Sequence, residues 1–468
     1  MINFKGVKVG ILGLGQENIA LAHFLALEGA KITVCDSKKK DELVESLEQI
    51  KDLELDYRLG LDYLDNLKDF EIVFRTPGLP ILNPKLQKAK EEGLEISSEI
   101  KLFFDRCPCK TIGITGTKGK GTTTTLIYEI LNEAKKHEKI LGKIYIGGNI
   151  GNPPINFLKK LKPEDIVVLE LSSFQLQDLN KSPNIAVILD IKIDHLDYHK
   201  DENEYRKAKA NILNFQKKED FAVVNADYLT SFELAILSQG EIYWFSRRKS
   251  VDQGVWVKSD KEIYLRFRSK EYPIIKTPDI TLRGEHNWEN ICAAIAAAVL
   301  AGADLDSVKK VIQWFPGLEH RLEFVAQIGG IKYYNDSFST TPDTAIAAIK
   351  SFSEPIILIA GGSEKGADYK ELGEVISSSK VKTAILIGKT GPRIKAKVKS
   401  KKAKVKIIDD CKNIDQVVEA AKGEAKSGDV VLLSPASASF DWFQNYKERG
   451  TQFKRAVRSK EGIITEYT

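Results

Sequence analysis

At 468 residues the chain is too long for a single hydrophobic core, so several domains are expected. Its 43% hydrophobic and 29% charged residues fit an ordinary soluble globular protein. Seventy basic against 65 acidic residues is a near balance, which speaks against a nucleic-acid-binding surface.

The first elements alternate strand and helix. Val7–Leu12 is apolar, Gly13-Leu-Gly15 turns the chain, and Ile19–Leu27 reads as a helix. Lys31–Cys35 is a second strand and ends at Asp36, an acid placed to bind a ribose. Asn18 stands where a third glycine of a dinucleotide fingerprint would be, so tight packing explains Gly13-x-Gly15 equally well. Ile72-Val-Phe runs into Arg75-Thr-Pro-Gly-Leu-Pro80, a rigid turn at a sheet edge. Residues 1–106 are therefore expected to be a small Rossmann-like nucleotide-binding domain.

Next comes Thr111-Ile-Gly-Ile-Thr, then Gly116, Thr117, Lys118, Gly119, Lys120 and Gly121, then four threonines. Leu126, Ile127, Ile130, Leu131 and Ala134 follow on one helical face. Strand, glycine loop and helix start form a phosphate cradle: backbone N–H groups wrap the anion and Lys120 adds a full charge. Gly121 occupies the place after the lysine where Ser or Thr is usual, so Thr122 or Thr123 is expected to supply the Mg²⁺-binding hydroxyl. Two strand ends follow, the first carrying Glu170 and the second running into Asp190, Asp194 and His195, a set suited to Mg²⁺ beside a triphosphate. Residues 241–283 alternate in short runs such as Glu241-Ile-Tyr-Trp-Phe245 and predict an antiparallel annex. His286-Asn-x-x-Asn290 opens an Ala-rich helix, where Asn287 suits either a cap or an adenine edge. These elements make a P-loop domain with a mostly parallel sheet over 107–314.

The third segment, 315–468, opens with a hairpin, Glu323–Ile328 and Ile331–Asn335, and returns to strand–helix units of Rossmann type. Arg321 suits a phosphate, and Asp336 a ribose or Mg²⁺. Gly361-Gly-Ser-Glu-Lys365 and Ser434-Pro-Ala-Ser-Ala-Ser439 read either as anion cradles or as plain turns. No apolar run approaches the ~20 residues needed to span a bilayer. Five scattered cysteines fit reduced thiols in the cytosol, and Cys107-Pro108-Cys109 lacks the second pair of a zinc site.

Taken together, Gly116-Thr-Lys-Gly-Lys120, Gly147-Gly-Asn-Ile-Gly151, Glu170-Leu-Ser-Ser-Phe-Gln-Leu176, Asp194-His-Leu-Asp197, Tyr205-Arg-Lys-Ala-Lys209, His320-Arg321, Asn335-Asp-Ser337 and Leu433-Ser-Pro-Ala436 resemble the Mur ligase family over nearly the whole chain. The resemblance implies a three-domain α/β, cytoplasmic, monomeric enzyme that uses ATP and Mg²⁺. The reaction implied is the joining of glutamate, of D configuration, to UDP-N-acetylmuramoyl-L-alanine through an acyl phosphate. No nucleic acid or membrane takes part.

By resemblance, Lys120 and Thr122 hold phosphate and Mg²⁺, and Glu170, His195 and a carbamylated Lys209 bind Mg²⁺. Asn287, Asn290, Arg321 and Asp336 bind ATP. Gly15, Gln16, Asp36, Ser37 and Thr76 hold the UDP, and Asn149 and Ser172 the muramoyl-peptide part. Thr340, Lys365, Ser439, Phe440 and Tyr446 cradle glutamate. Three places depart from the pattern: Gly121, as in folylpolyglutamate synthases; the Asp190-Ile-Lys-Ile-Asp194 run, with Asp where Asn is usual; and Phe338, where the D-glutamate enzymes carry Lys. Alternatives are the same ligation with L-glutamate, a folylpolyglutamate-type ligase, whose family lacks the Gly-x-Gly domain, and a nicotinamide-binding redox module.

Overall fold

The computed structural model describes residues 3–192, 198–364, 366–398 and 405–459. Asp194, His195 and Lys365 therefore lie outside the described residues. The chain divides into two compact units, Met1–Asp279 with Trp288–Gln313, and Ile280–Asn287 with Trp314–Thr468.

The first unit holds two sheets. β1 (Lys8–Leu12), β2 (Lys31–Asp36), β3 (Leu55–Leu59), β4 (Ile72–Arg75) and β5 (Glu95–Ser97) form a parallel sheet in the order β3-β2-β1-β4-β5. The chain order reverses between β1 and β4, which leaves a crevice at their C-terminal ends, where α/β sheets bind ligands.

The second sheet comprises β6 (Lys110–Thr115), β7 (Ile144–Gly148), β8 (Ile166–Glu170), β9 (Ile185–Ile188), β10 (Phe221–Asn225), β11 (Glu241–Ser246), β12 (Gly254–Val257), β13 (Glu262–Phe267) and β14 (Lys270–Lys276). Their order is β14-β13-β12-β11-β10-β9-β6-β8-β7. β8 is buried along its whole length, as expected for a parallel strand covered on both faces. The expected antiparallel annex is corrected in part. β11 pairs parallel with both β10 and β12, and only β12–β13–β14 are antiparallel, so the annex extends the main sheet. Alternating burial looks the same in either pairing. The helix Leu229–Ala235 between β10 and β11 makes a crossover, and a crossover returns the chain parallel.

One apolar cluster joins helices and strands from both sheets. Within it, Phe103 and Phe157 meet edge to face with ring centres 6.0 Å apart. A polar hub lies beside it. Arg75, at the end of β4, is fully buried. Its Nε and Nη2 each lie 2.9 Å from an Asp178 carboxylate oxygen. The same guanidinium donates to the carbonyls of Leu79 (2.7 Å) and Phe174 (2.8 Å) and to the Tyr198 hydroxyl (3.0 Å).

The second unit contains β15 (Glu323–Ile328), β16 (Ile331–Asn335), β17 (Ile356–Gly361), β18 (Val381–Ile387), β19 (Lys406–Ile408) and β20 (Val430–Leu433), ordered β15-β16-β20-β17-β18-β19. β15 and β16 form the expected antiparallel hairpin, and the other pairs are parallel. Apolar clusters cover both faces, one with Leu372 and Ile376, the other with Val417 and Phe453. Among the described residues no helix is long and apolar enough to cross a membrane.

Candidate active site

The phosphate loop forms where the sequence places it. β6 ends at Thr115, and the helix Lys120–Lys136 begins after Gly119, which adopts φ 86° and has no side-chain cap. The first turn of a helix carries N–H groups with no partner inside it, so this end suits an anion. Lys120 Nζ donates to the carbonyls of Gly116 (3.1 Å) and Thr117 (3.2 Å), folding back over the loop. Thr117 is tied down twice: its N–H donates to Asp190 O (2.7 Å), and its hydroxyl accepts from Lys192 N (2.8 Å). Lys118 is exposed, whereas Thr122 and Thr123 are buried in the first turn behind Gly121. A Cβ on Gly119 would come 2.2 Å from Asn290 Oδ1, and Thr123 Oγ1 lies 3.4 Å from that same atom. Asn290 thus supports the loop from beneath, a role its sequence context did not reveal.

Two groups stand next to the loop. Glu170 ends β8 and lies in register with Ile114 of β6, one residue before Thr115. Asn149 fixes it, its Nδ2 donating to Glu170 Oε1 (2.9 Å) and its N–H to Glu170 O (2.8 Å). Gly148 makes this approach possible, since a Cβ there would sit 2.2 Å from Glu170 O. Lys209, on the helix Glu202–Asn214, is 2% exposed. Its Nζ donates to Gly116 O (2.9 Å) and Thr115 Oγ1 (3.2 Å) and lies over the Tyr205 ring at 4.9 Å. Ser172 caps the helix Ser173–Leu176.

A hard carboxylate oxygen and a threonine hydroxyl beside a phosphate cradle are the donors Mg²⁺ takes when phosphate and water complete its shell. The residues present fit that ion. No cage of three or more His, Cys, Asp or Glu exists among the described residues. As an ammonium, Lys209 is not a metal ligand.

In the first sheet, Gly15, Asp36, Ser37 and Thr76 line one cavity of about 760 Å³ at the crevice beside β1. Gln16 is exposed at the start of the helix Gln16–Leu27. Asp36 also does structural work: its Oδ2 accepts from Leu14 N (2.8 Å) and its Oδ1 from Lys38 N (2.9 Å). Lys38 and Tyr63 line the same cavity and were missed. Lys38 has no distinctive signal in a run of three lysines.

In the second unit, Asp336 is buried and accepts from Leu322 N (3.2 Å) and Ser434 Oγ (2.8 Å). Burial pushes its carboxyl up to about 6. These bonds hold a turn in which His320 (φ 64°) and Leu322 (φ 45°) are left-handed. Arg321, between them, places its guanidinium carbon 3.9 Å from the centre of the Phe338 ring. Phe338 in turn meets Tyr446 edge-on, with centres 5.1 Å apart. Phe338 therefore presents its ring to an arginine.

Ser439 is buried, Phe440 is 67% exposed and Thr340 is half-buried. Asn287 is the third residue of the helix Glu285–Ala301 and its Nδ2 donates to Arg283 O (2.6 Å), a donor role unlike the N–H-accepting cap expected from the sequence. The sequence reading missed Arg449. Fully buried, it donates to Ser337 Oγ (2.9 Å), Ser337 O (2.8 Å), Ser437 O (3.1 Å) and Ala438 O (3.2 Å). Burial lowers it to about 10, so it stays charged at neutral pH. It joins the Asn335-Asp-Ser337 turn to the Ser434–Ser439 turn.

Three known domains match this chain in sequence order: the Mur ligase MurD-like N-terminal domain over residues 7–98, the Mur ligase middle domain over 114–298, and the Mur ligase glutamate ligase domain over 320–437. The UDP-N-acetylmuramoylalanine–D-glutamate ligase of Acetivibrio thermocellus is 44% identical over 98% of this chain and 97% of its own. The chain belongs to the Mur ligase family. The enzyme of the same name from Clostridium tetani is 40% identical over 97% of this chain and 96% of its own. Among solved structures, a MurF of Acinetobacter baumannii shares the fold at a TM-score of 0.55 and 16% identity, covering 77% of this chain and 82% of that one. The Mur ligase domains coincide with the three sheets, so the phosphate loop belongs to the middle domain and the Arg321–Phe338 contact to the glutamate ligase domain.

Proposed function

We propose that this Mur ligase uses ATP to join D-glutamate to UDP-N-acetylmuramoyl-L-alanine in the cytoplasm. The names of relatives similar over nearly their full lengths support the substrates. The observation that carries the chemistry is the Gly116–Lys120 loop with Glu170 and Lys209 next to it.

A carboxylate is a poor electrophile, and transfer of the ATP γ-phosphoryl group to one of its oxygens makes that oxygen a leaving group. The glutamate amine then attacks the carbonyl carbon, the C–O bond to phosphate breaks, and the amine's surplus proton leaves as the amide forms. Lys120 and the first-turn N–H groups neutralise charge on the transferring phosphoryl group, where preorganised donors are most effective. Mg²⁺, held by Thr122 and Glu170, would draw further charge from the phosphate oxygens. Asn149 orients the Glu170 carboxylate. Carbamylation of Lys209 turns its ammonium into a carboxylate-like oxygen donor beside Thr115 and Gly116. In this reading the first sheet, residues 1–106, takes the UDP moiety in the Asp36–Thr76 cavity. Residues 107–314 carry ATP, and residues 315–468 take glutamate near Ser439, Phe440, Thr340 and Tyr446.

The acyl phosphate is testable with acceptor carrying heavy oxygen in its terminal carboxylate. One heavy oxygen should appear in the inorganic phosphate released with each amide. Unlabelled phosphate would rule this route out.

A further inference from the structure

The junction between the first sheet and the phosphate-loop strand carries two thiols. Cys107 closes the helix Glu99–Arg106, its N–H donating to Phe103 O at 2.8 Å. Cys109 stands directly before β6, and Pro108 between them has φ fixed by its ring. Cys107 is extended (φ −62°, ψ 121°), which sends residues two apart to one side of the chain. The two Sγ atoms lie 3.6 Å apart. Both residues are half-buried, whereas Cys35 and Cys292 are sealed in the core. Among the described residues no acid, histidine or further cysteine completes a metal group with them. Either thiol can donate in this contact, and the Cys107 thiol also lies 3.7 Å from Cys109 O; the contact lowers the Cys107 thiol and raises that of Cys109. Cys107 is therefore the better attacking group of the two.

We propose that Cys107 and Cys109 form a redox-responsive dithiol that closes to an intramolecular disulfide on meeting a low-molecular-weight disulfide such as oxidised glutathione. The Cys107 thiolate attacks one sulfur of the small disulfide, whose S–S bond breaks and releases one thiol. Cys109 then loses its proton and attacks Cys107 Sγ, displacing the second small thiol. Two protein S–H bonds are replaced by one S–S bond. Two electrons and two protons end on the small disulfide, which leaves as two thiols. The sulfurs must close by about 1.5 Å to reach disulfide length. Strained or exposed bonds are the easily reduced ones, so a bond within three residues opens again in a reducing buffer.

The test uses full-length protein equilibrated with graded ratios of oxidised to reduced glutathione. The reaction is acid-quenched and free thiols are capped with a maleimide. Trypsin cuts after Arg106 and Lys110, so both sulfurs fall on one peptide. In the wild type that peptide should lose both caps together and become lighter by two hydrogens. The variants Cys107→Ser and Cys109→Ser should instead trap glutathione on the remaining sulfur, faster when Cys107 is the one retained. The proposal is overturned if the wild-type peptide stays doubly capped at ratios that modify the single variants. It is equally overturned if glutathione persists on one wild-type sulfur, or if no form reacts.

Discussion

Lys209 Nζ donates to the carbonyl of Gly116 at 2.9 Å, which places a buried lysine against the first residue of the phosphate loop. An ammonium there stiffens the loop, whereas a carbamate would present oxygen to a metal. Lys209→Ala should keep the fold and reduce kcat by about 10²-fold or more, the scale for losing one preorganised electrostatic group. If carbamylation operates, wild-type activity should also fall in carbon-dioxide-free buffer and return with bicarbonate, while the variant stays unresponsive. Steady-state rates in both buffers check this.

Glu17 is a carboxyl whose burial pushes it up to about 7, against a hydrogen bond from Gln175 that lowers it. Glu99, Asp178 and Arg75 share its surroundings. Because the folded value is raised, the folded state binds the extra proton between about 4.5 and about 7. This group's contribution to stability is fully present below that window and is lost as pH rises through it, by about 3 kcal/mol. Glu17→Gln should therefore lose less stability than the wild type between about pH 5 and about pH 8, read from urea midpoints. An equal loss in both proteins contradicts the assignment.

The Arg75–Asp178 pair is buried on both sides. Arg75→Leu alone leaves Asp178 uncompensated and should cost about 3–5 kcal/mol. Adding Asp178→Leu should recover part of that loss, because the stranded charge is gone. A double variant no more stable than Arg75→Leu alone goes against this account.

The Arg321 guanidinium rests on the Phe338 ring. Phe338→Leu removes the aromatic face, a contact worth about 0.5–2 kcal/mol. Phe338→Tyr keeps it. If the ring positions Arg321 for the reaction, kcat/KM should fall several-fold in the leucine variant and hold in the tyrosine variant. Equal rates in all three would show that the ring has no such role.

The phosphate loop was legible because strand, glycines and helix are contiguous, and local backbone needs fix the residue types. The supports around it were not. Asp178 lies 103 positions beyond Arg75, and Asn290 lies 167 beyond Thr123, so no local pattern joins them. Arg449 reads as an ordinary charged helix residue until its four bonds to Ser337, Ser437 and Ala438 are seen. The direction of β11 was misread because alternation reports burial of one face, not the direction of the neighbouring strand. Asp36 lines the crevice beside β1, and its bonds to Leu14 and Lys38 depend on a turn the sequence does not specify.

The most direct measurement is a turnover assay with UDP-N-acetylmuramoyl-L-alanine, ATP and either glutamate isomer, following ADP and the amide product by mass. The account predicts one ADP for each amide with D-glutamate, and neither product when the acceptor or the amino acid is left out. Amide formation with L-glutamate alone, or ADP release independent of both substrates, would contradict it.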